Sequence, residues 1–508
     1  MGKLKDKLID KSNMIALSLA LVHSIITSLL YGKVFTVEPF SQPVNFIICR
    51  IAAFVILFLI YRALVIHNEN TVGILKYALI YFIPIIAVLI FKLPQGFLSN
   101  DERLIFEQAT ALADYTWFYY LTTYYYIITM MIIPGWLGPV LMKVLLQVLF
   151  AGYTVFRTSK LFGKKYGVFM YLVFLLPPVL AYTTSAHRIP VYFLLYAFTM
   201  FSMLMDRLQE VKSTGIKVVW LLFLGAILTQ WRTEGIYLAV ILPILMFVCY
   251  PDLRNKKSII RVVLISLLLQ YLVQIPQNGA LPVRMGDKAD NRMGPFYAYT
   301  ITNMFGNGLD EDKNAEAIAE VDRYLDVSEI KRINAELGEI NYEDVLILYY
   351  EGFKGRRENA TDEDYRAYLH GCQTIFKNNP DVFIKTRIGA FHYAATPYNI
   401  EWKEGGITGF AKFVISIIKT IAYNLYVPHL ILFCMFIYSL IKRRAWGFFF
   451  TGGLICHFLI VFILAPASYF KYYFPVYFMM YFMLDLIIIK TVYARNNKDS
   501  SKPVTEVL

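Results

Sequence analysis

Four groups of ionisable residues stand at the ends of apolar runs, where a charge is costly unless it serves a purpose. They are Asp101-Glu102, His187-Arg188, Arg232 with Glu234, and Lys471 with Tyr472. A carboxylate pair facing several cations suits the transfer of a group away from a phosphate. The carboxylate takes the proton of an acceptor hydroxyl, and Arg or Lys holds the phosphate as it departs as a stabilised anion. Each group also has a plainer reading. Ser99-Asn100-Asp101-Glu102 fits a helix capping box, and cations at the ends of apolar runs serve as snorkelling anchors.

The elements that must position these residues are set by hydropathy. A mean hydropathy of +0.51 and 57% hydrophobic residues over 508 positions exceed what a soluble domain carries, so the bilayer is the main solvent. In lipid the backbone must satisfy its own hydrogen bonds, and runs this long select helices over a barrel. The apolar runs 14–31, 46–64, 75–92, 138–157, 166–183, 189–205, 217–230, 235–250, 259–275, 424–441, 446–464 and 473–491 predict about twelve spans in an all-α polytopic fold. Two of them, 217–230 and 235–250, are shorter than the roughly 17 residues a span needs, which predicts tilted or broken helices there.

The formal charge of +12 does not point to nucleic acid. Its cations cluster in short loops, among them Lys3 to Lys11, Arg157 to Lys165, Arg207 to Lys217, Arg254 to Arg261 and Lys442-Arg443-Arg444, at alternate ends of successive runs. That is the positive-inside pattern, and it puts both termini in the cytoplasm and all four ionisable groups on the outer face. The first run reads as a retained span in the cell membrane, not a cleaved signal.

Two stretches then lie outside. In 93–137 an amphipathic helix begins near Asp101, and a Tyr-rich run over 119–131 is expected to lie in the membrane interface beside Trp117 and Tyr119. The stretch 276–412 is acidic and reads as helical, with helix starts at Ser328 and at Thr361 with Asp364, and a break at Asn379-Pro380. Outside 345–350 and 382–393 it offers little apolar core, so it is expected to cover the site instead of folding on its own. The expected organisation is a two-span segment 1–74, a transmembrane core 75–275, the outer helical domain 276–412, a three-span bundle 413–491 and a tail 492–508.

Cys49, Cys249, Cys434 and Cys456 fall in apolar runs and Cys372 in the outer stretch, with no disulfide or metal spacing. No Walker motif, GxGxxG, HExxH or internal repeat is present, which disfavours an ATP-driven pump. Adjacent helical residues point about 100° apart, so a divalent Mg or Mn ion at Asp101 and Glu102 would need a third ligand, and metal dependence stays open.

With these residues in view, the chain resembles the GT-C glycosyltransferases, multispan enzymes that use polyprenyl- or dolichyl-phosphate sugars, and within them the bacterial protein-mannosyltransferase and aminoarabinose-transferase type. Leu98-Ser99-Asn100-Asp101-Glu102 looks like their acidic motif in the first outer loop. Leu176-Pro177-Pro178 with Ala186-His187-Arg188-Ile189-Pro190, Gln230-Trp231-Arg232-Thr233-Glu234-Gly235 and Ser468-Tyr469-Phe470-Lys471-Tyr472-Tyr473-Phe474-Pro475 resemble their later outer loops. The resemblance covers about 75–275 and 424–491 and implies an inverting transfer from a polyprenyl-phosphate or polyprenyl-pyrophosphate sugar to a glycan, lipid or protein acceptor. It would make Asp101 the base, with Glu102 beside it, and Arg188, Arg232, Lys471 and Tyr472 the donor-phosphate ligands. The chain departs from the family in having three spans before the acidic loop, Lys471 where many members carry Arg, and its soluble part inserted before the last three spans.

Two other classes compete. The long outer loop, with His392 and Gly405-Gly406-Ile407-Thr408-Gly409, loosely resembles lipid-linked glycan ligases and polymerases. A transporter or flippase would use charges within spans. His23, His429 and His457 lie in or near apolar runs, where interhelical hydrogen bonding is their expected role.

Overall fold

The computed structural model describes residues 2–66, 68–92, 100–113, 120–285, 294–337, 342, 355–357, 359–400 and 406–497. Leu98, Ser99, Trp117, Tyr119, the stretch 345–350, Gly405 and the tail beyond 497 lie outside them. Among the described residues there is no strand, only an isolated bridge between Leu325 and Arg356. Among the described residues nine helices are long and apolar enough to cross a membrane, and two shorter apolar helices, Gly215–Trp231 and Thr233–Cys249, accompany them. The chain is a multi-pass helical membrane protein.

It divides into two compact units, one of residues 1–277, 433–453 and 478–508, the other of 278–432 and 454–477. The first unit opens with α1 (Gly2–Leu29), α2 (Pro43–Val65) and α3 (Glu69–Lys92), followed by α4 (Asn100–Thr110), α5 (Tyr120–Ile132) and α6 (Leu137–Phe162). Helix α6 stops at Gly163, whose φ of 95° is open to glycine and closed to most other residues. Then come α7 (Lys164–Phe174) and α8 (Pro177–Thr183), bent 66° from each other where Pro177-Pro178 cannot continue the ladder. The unit continues through α9 (Ile189–Leu208), α10 (Gly215–Trp231), a 3-10 turn Thr233–Tyr237, α11 (Leu238–Cys249) and α12 (Lys256–Met285), whose residues from 278 on belong to the second unit. The sequence boundary at 275 falls inside α12, which runs ten residues further as one helix.

One expectation is corrected here. The described part of the Tyr-rich run, from Tyr120 on, is not an exposed surface helix but is buried in the protein. Ten residues of the 13-residue α5 are buried, packed among α1, α2, α4 and α6. Its phenols show why so many tyrosines suit a core: each buried hydroxyl needs a partner, and Tyr124 donates to Asn45 Oδ1 at 2.6 Å, Tyr125 to the Pro139 carbonyl at 2.5 Å and Tyr126 to the Ala186 carbonyl at 2.6 Å.

The second unit contains α13 (Gly294–Gly306), α14 (Ala315–Asp322), α15 (Val327–Leu337), α16 (Asp362–Asn378), α17 (Pro380–Ala395) and α18 (Gly406–Ala422). The last three helices, α19 (Tyr426–Ile441), α20 (Ala445–Leu464) and α21 (Phe474–Asn496), contribute to both units. Thr361 and Asp364 form the expected capping box, and Asn379-Pro380 marks the break between α16 and α17. Hydrogen bonding to the Thr361 hydroxyl and amide, with Arg323 beyond, pulls the Asp364 carboxyl down to about 2. At α15 the cap is Asp326, which accepts from the Ser328 and Glu329 amides, so Ser328 lies inside the helix.

The stretch 276–412 has more core than its sequence suggests. Tyr299, Met304, Val321, Tyr324, Tyr368 and Ile375 form one buried cluster drawn from α13, α14, α16 and the segment after α14. Arg387 is only 1% exposed and donates to the carbonyls of Phe462 at 2.5 Å and Ala465 at 3.0 Å. A cation on the orphan carbonyls at the end of α20 matches the negative end of the helix dipole, which makes Arg387 a C-terminal cap supplied from another helix.

Candidate functional site

The centre of the first unit's site is the turn Ser185-Ala186-His187-Arg188, which joins α8 to α9. A turn has no ladder to hold its carbonyls, so side chains must do it. All four carbonyls accept. Lys143 Nζ, from α6, donates to those of Ser185 and His187, the latter at 2.6 Å. Tyr126 of α5 donates to Ala186 at 2.6 Å, and Trp231 Nε1, at the end of α10, donates to Arg188 at 3.3 Å. Pro190, in the first turn of α9, lacks an N–H that would have no partner there in any case. Donors from three helices thus fix the backbone that carries His187 and Arg188.

Opposite this turn, α4 presents the carboxylates. Glu102, Ile105 and Ala109 are buried on one face at helical spacing, while Arg103 and Glu107 form an exposed pair on the other, so the predicted amphipathic helix is present. The C-terminal end of α4 is pinned by the Thr36 amide donating to Thr110 O at 2.8 Å and by Asn45 Nδ2 donating to Leu112 O at 2.8 Å. Leu112 follows in the left-handed region with φ 52° and a fully buried side chain, so tertiary packing outweighs the backbone strain that a non-glycine residue meets there.

At the other end Glu102 is 2% exposed, and its Oε1 lies 3.1 Å from His187 Nδ1, an ion pair when the imidazole is protonated. Asp101 precedes it and is half-buried. Burial first, then the Glu102 charge, hold the Tyr126 phenol well above its ordinary range, with Asp101 acting in the same sense and Arg188 against it. Tyr126 is therefore a neutral donor in the middle of a field made by Asp101, Glu102 and Arg188.

Arg232 and Glu234 form their own pair. Arg232 is 6% exposed, and its guanidinium meets Glu234 as a fork, Nε at 3.1 Å from Oε2 and a second nitrogen on Oε1. The 3-10 turn that carries them needs Gly235, because a Cβ there would come within 2.5 Å of the Leu228 carbonyl. Arg232 is thus a buried, carboxylate-paired cation and not a snorkelling anchor.

Lys471, Tyr472 and His392 belong to the second unit. Lys471 Nζ stands over the Tyr469 ring at 4.8 Å and near that of Tyr472 at 5.9 Å. His392 Nδ1 is 2.6 Å from the Tyr426 hydroxyl. Two of the three histidines in apolar helices bond to other elements, as expected for structural groups: His23 bridges Tyr61 and the Ile132 carbonyl at 2.8 Å each, and His457 meets Tyr472 O at 3.1 Å, whereas His429 Nδ1 meets the Leu425 carbonyl four residues earlier at 2.7 Å, a local bond and not an interhelical one. Among the described residues no group of three or more His, Cys, Asp or Glu side chains is gathered for a metal ion.

No family model, curated protein or solved structure matches this chain. The site is read from its own geometry.

Sequence reasoning missed Lys143, Tyr126 and Trp231 as the supports of the His187 turn. Lys143 carried a signal: an ammonium six residues into the α6 apolar run is costly unless it has partners. Attention to charges at the ends of spans passed over it. Tyr126 and Trp231 carried none, since their acceptors are 60 and 43 residues away in sequence.

Proposed function

We propose that the chain is an integral membrane glycosyltransferase of the GT-C type, moving a sugar from a polyprenyl-phosphate donor to a glycan, lipid or protein acceptor on the outer side of the membrane. The observation that carries the reading is the buried Glu102 carboxylate against His187, on a turn whose four carbonyls are clamped, with Asp101 beside it and Arg188 within its field. In this reading Asp101, the more accessible carboxylate, removes the proton of the acceptor hydroxyl. The acceptor oxygen then bonds to the anomeric carbon from the face opposite the leaving group, the carbon–oxygen bond to the phosphate breaks, and the lipid phosphate departs as an anion. Arg188 and Arg232 are the phosphate ligands on the first unit, and Glu102 positions His187.

About twelve spans fit this reading. They are the nine long helices, the bent α7–α8 pair as one, and the two shorter apolar helices. Both termini are then cytoplasmic and the second unit's helices α13 to α17 extracytoplasmic. Single-cysteine labelling of intact cells checks it. Lys313→Cys, on an exposed position, should react with an impermeant thiol reagent, while Ser500→Cys should react only after permeabilisation; the reverse pattern overturns the orientation.

The donor class is tested by incubating the purified protein with a panel of polyprenyl-phosphate and polyprenyl-pyrophosphate sugars. Free polyprenyl phosphate, released in proportion to glycosylated acceptor, is the expected product. Turnover of pyrophosphate-linked donors alone would move the chain to the ligase class, and release from neither class would remove the transferase reading.

A further inference from the structure

At the other end of α9, about 30 Å from the His187 turn by helical rise, the first unit carries a second charged feature that the transfer reading does not use. A cavity of about 420 Å³ is lined by Arg207, Arg254, Lys442, Arg443 and Arg444, with Trp446 at its wall, and among the described residues no carboxylate lines it. The nearest acid in sequence, Asp206, is committed elsewhere. It is buried with Arg157 at 3.2 Å, Lys217, and the Tyr250 hydroxyl at 2.5 Å, and it does not line the cavity.

The cations are held by more than loop chance. The Arg254 guanidinium is fixed on the last turn of α11 by the carbonyls of Phe247 at 2.8 Å and Val248 at 3.1 Å. Arg444 sits over the Tyr438 ring at 5.5 Å. Arg443, between α19 and α20, adopts φ 53°, a helix-ending conformation that favours glycine or asparagine; a long cation occupies it instead.

Arg444 and Trp446 are shared with a second, larger cavity of about 680 Å³. Its wall is mainly apolar, formed by Met435, Tyr438, Trp446, Met483, Ile487 and Ala494, with Lys490 and Arg495 at hand. A basic pocket that opens into an apolar groove matches one chemistry, an anionic phosphate carrying a hydrocarbon chain. The positive-inside rule explains cations at this end of the bundle, but it calls for neither their convergence on one cavity nor a groove beside it.

We infer that this paired cavity is a binding site for a phosphate-headed membrane lipid, with the headgroup among Arg207, Arg254, Lys442, Arg443 and Arg444 and a chain in the groove past Trp446. The inference does not depend on the transferase reading. In the orientation proposed above, the site opens to the cytoplasmic leaflet.

The test is a titration of the full-length protein in neutral detergent with dioctanoyl phosphatidylglycerol, dioctanoylglycerol and inorganic phosphate, read by calorimetry. Phosphatidylglycerol should bind saturably, at least about tenfold more tightly than either of the other two probes, and more weakly as salt is raised. The double substitution Lys442→Gln with Arg443→Gln, at two exposed positions, should weaken it about tenfold or more without lowering the melting temperature. Ile487→Trp, which fills the groove, should weaken the lipid and leave inorganic phosphate unchanged. Equal binding of dioctanoylglycerol would mean that charge is not read, and equal binding of inorganic phosphate that the groove is idle. Unaltered lipid affinity in the double variant would mean that the lipid sits elsewhere. Any of these three results overturns the assignment.

Discussion

Asp101→Asn is expected to lower transfer activity about a hundredfold or more while leaving expression and melting temperature nearly unchanged. Asn has the size of Asp and serves as well near a helix start, so α4 keeps its geometry; what it loses is the charge that accepts a proton. The half-buried setting of Asp101 leaves it reachable by an acceptor hydroxyl. Glu102 is the contrast within the same turn of helix. At 2% exposure and 3.1 Å from His187 it is proposed to position that residue, so Glu102→Gln should cost stability, about 1 to 3 kcal/mol for a buried charged partner, along with some activity. Rates with a defined lipid-linked sugar and unfolding curves in detergent separate the two. If Asp101→Asn stays fully active, the proton acceptor lies elsewhere and Asp101 returns to a helix-start role favoured by the dipole.

The long apolar runs were legible because lipid allows a chain few options: a run of about 20 apolar residues with cations at one end becomes a helix, and the structure has helices at every one of the twelve runs. Local punctuation was legible too. Thr361 with Asp364 and Asn379-Pro380 act within four residues, so their partners are visible in the string.

Burial was the harder part. The Tyr119 to Met131 run has the composition of an interfacial belt, and only the packing of α1, α2, α4 and α6 around α5 decides that the phenols of Tyr124, Tyr125 and Tyr126 are core donors. The cluster under Tyr299 and Tyr368 escaped notice for a related reason: its members come from α13, α14 and α16, none of which is apolar enough alone to announce a core. At the site, the ionisable pairs were legible as types, and the pairing of Arg232 with Glu234 spans only two residues. Which carboxylate is buried was not. Asp101 and Glu102 differ by one position, and the partner that the buried one meets, His187, is 85 residues downstream.

Lys143→Met is the substitution that tests whether this long-range clamp matters. Met matches the length and volume of the lysine stem but donates nothing, so the carbonyls of Ser185 and His187 each lose a charged donor. A buried acceptor left without a partner costs about 1 to 3 kcal/mol. Opposing this, Lys143 is 1% exposed, and removing its charge also removes the penalty of keeping an ammonium out of water. The second effect offsets part of the first, and a net loss of about 2 kcal/mol is expected because two acceptors are orphaned while one charge is relieved. The larger consequence falls on function. Without Lys143, Tyr126 and Trp231 still hold Ala186 and Arg188, but His187 is no longer fixed through its own carbonyl, and it is the residue that faces Glu102. Displacements of about 1 Å in a positioned group reduce rates by about a hundredfold, so activity should fall by that order, well beyond what the stability loss alone would cause at a temperature where the protein stays folded. Melting in detergent and turnover of a defined lipid-linked sugar are the two readouts. A Met variant within twofold of the parent in turnover would mean that the turn is held well enough by Tyr126 and Trp231, and that Lys143 serves packing of α6 alone.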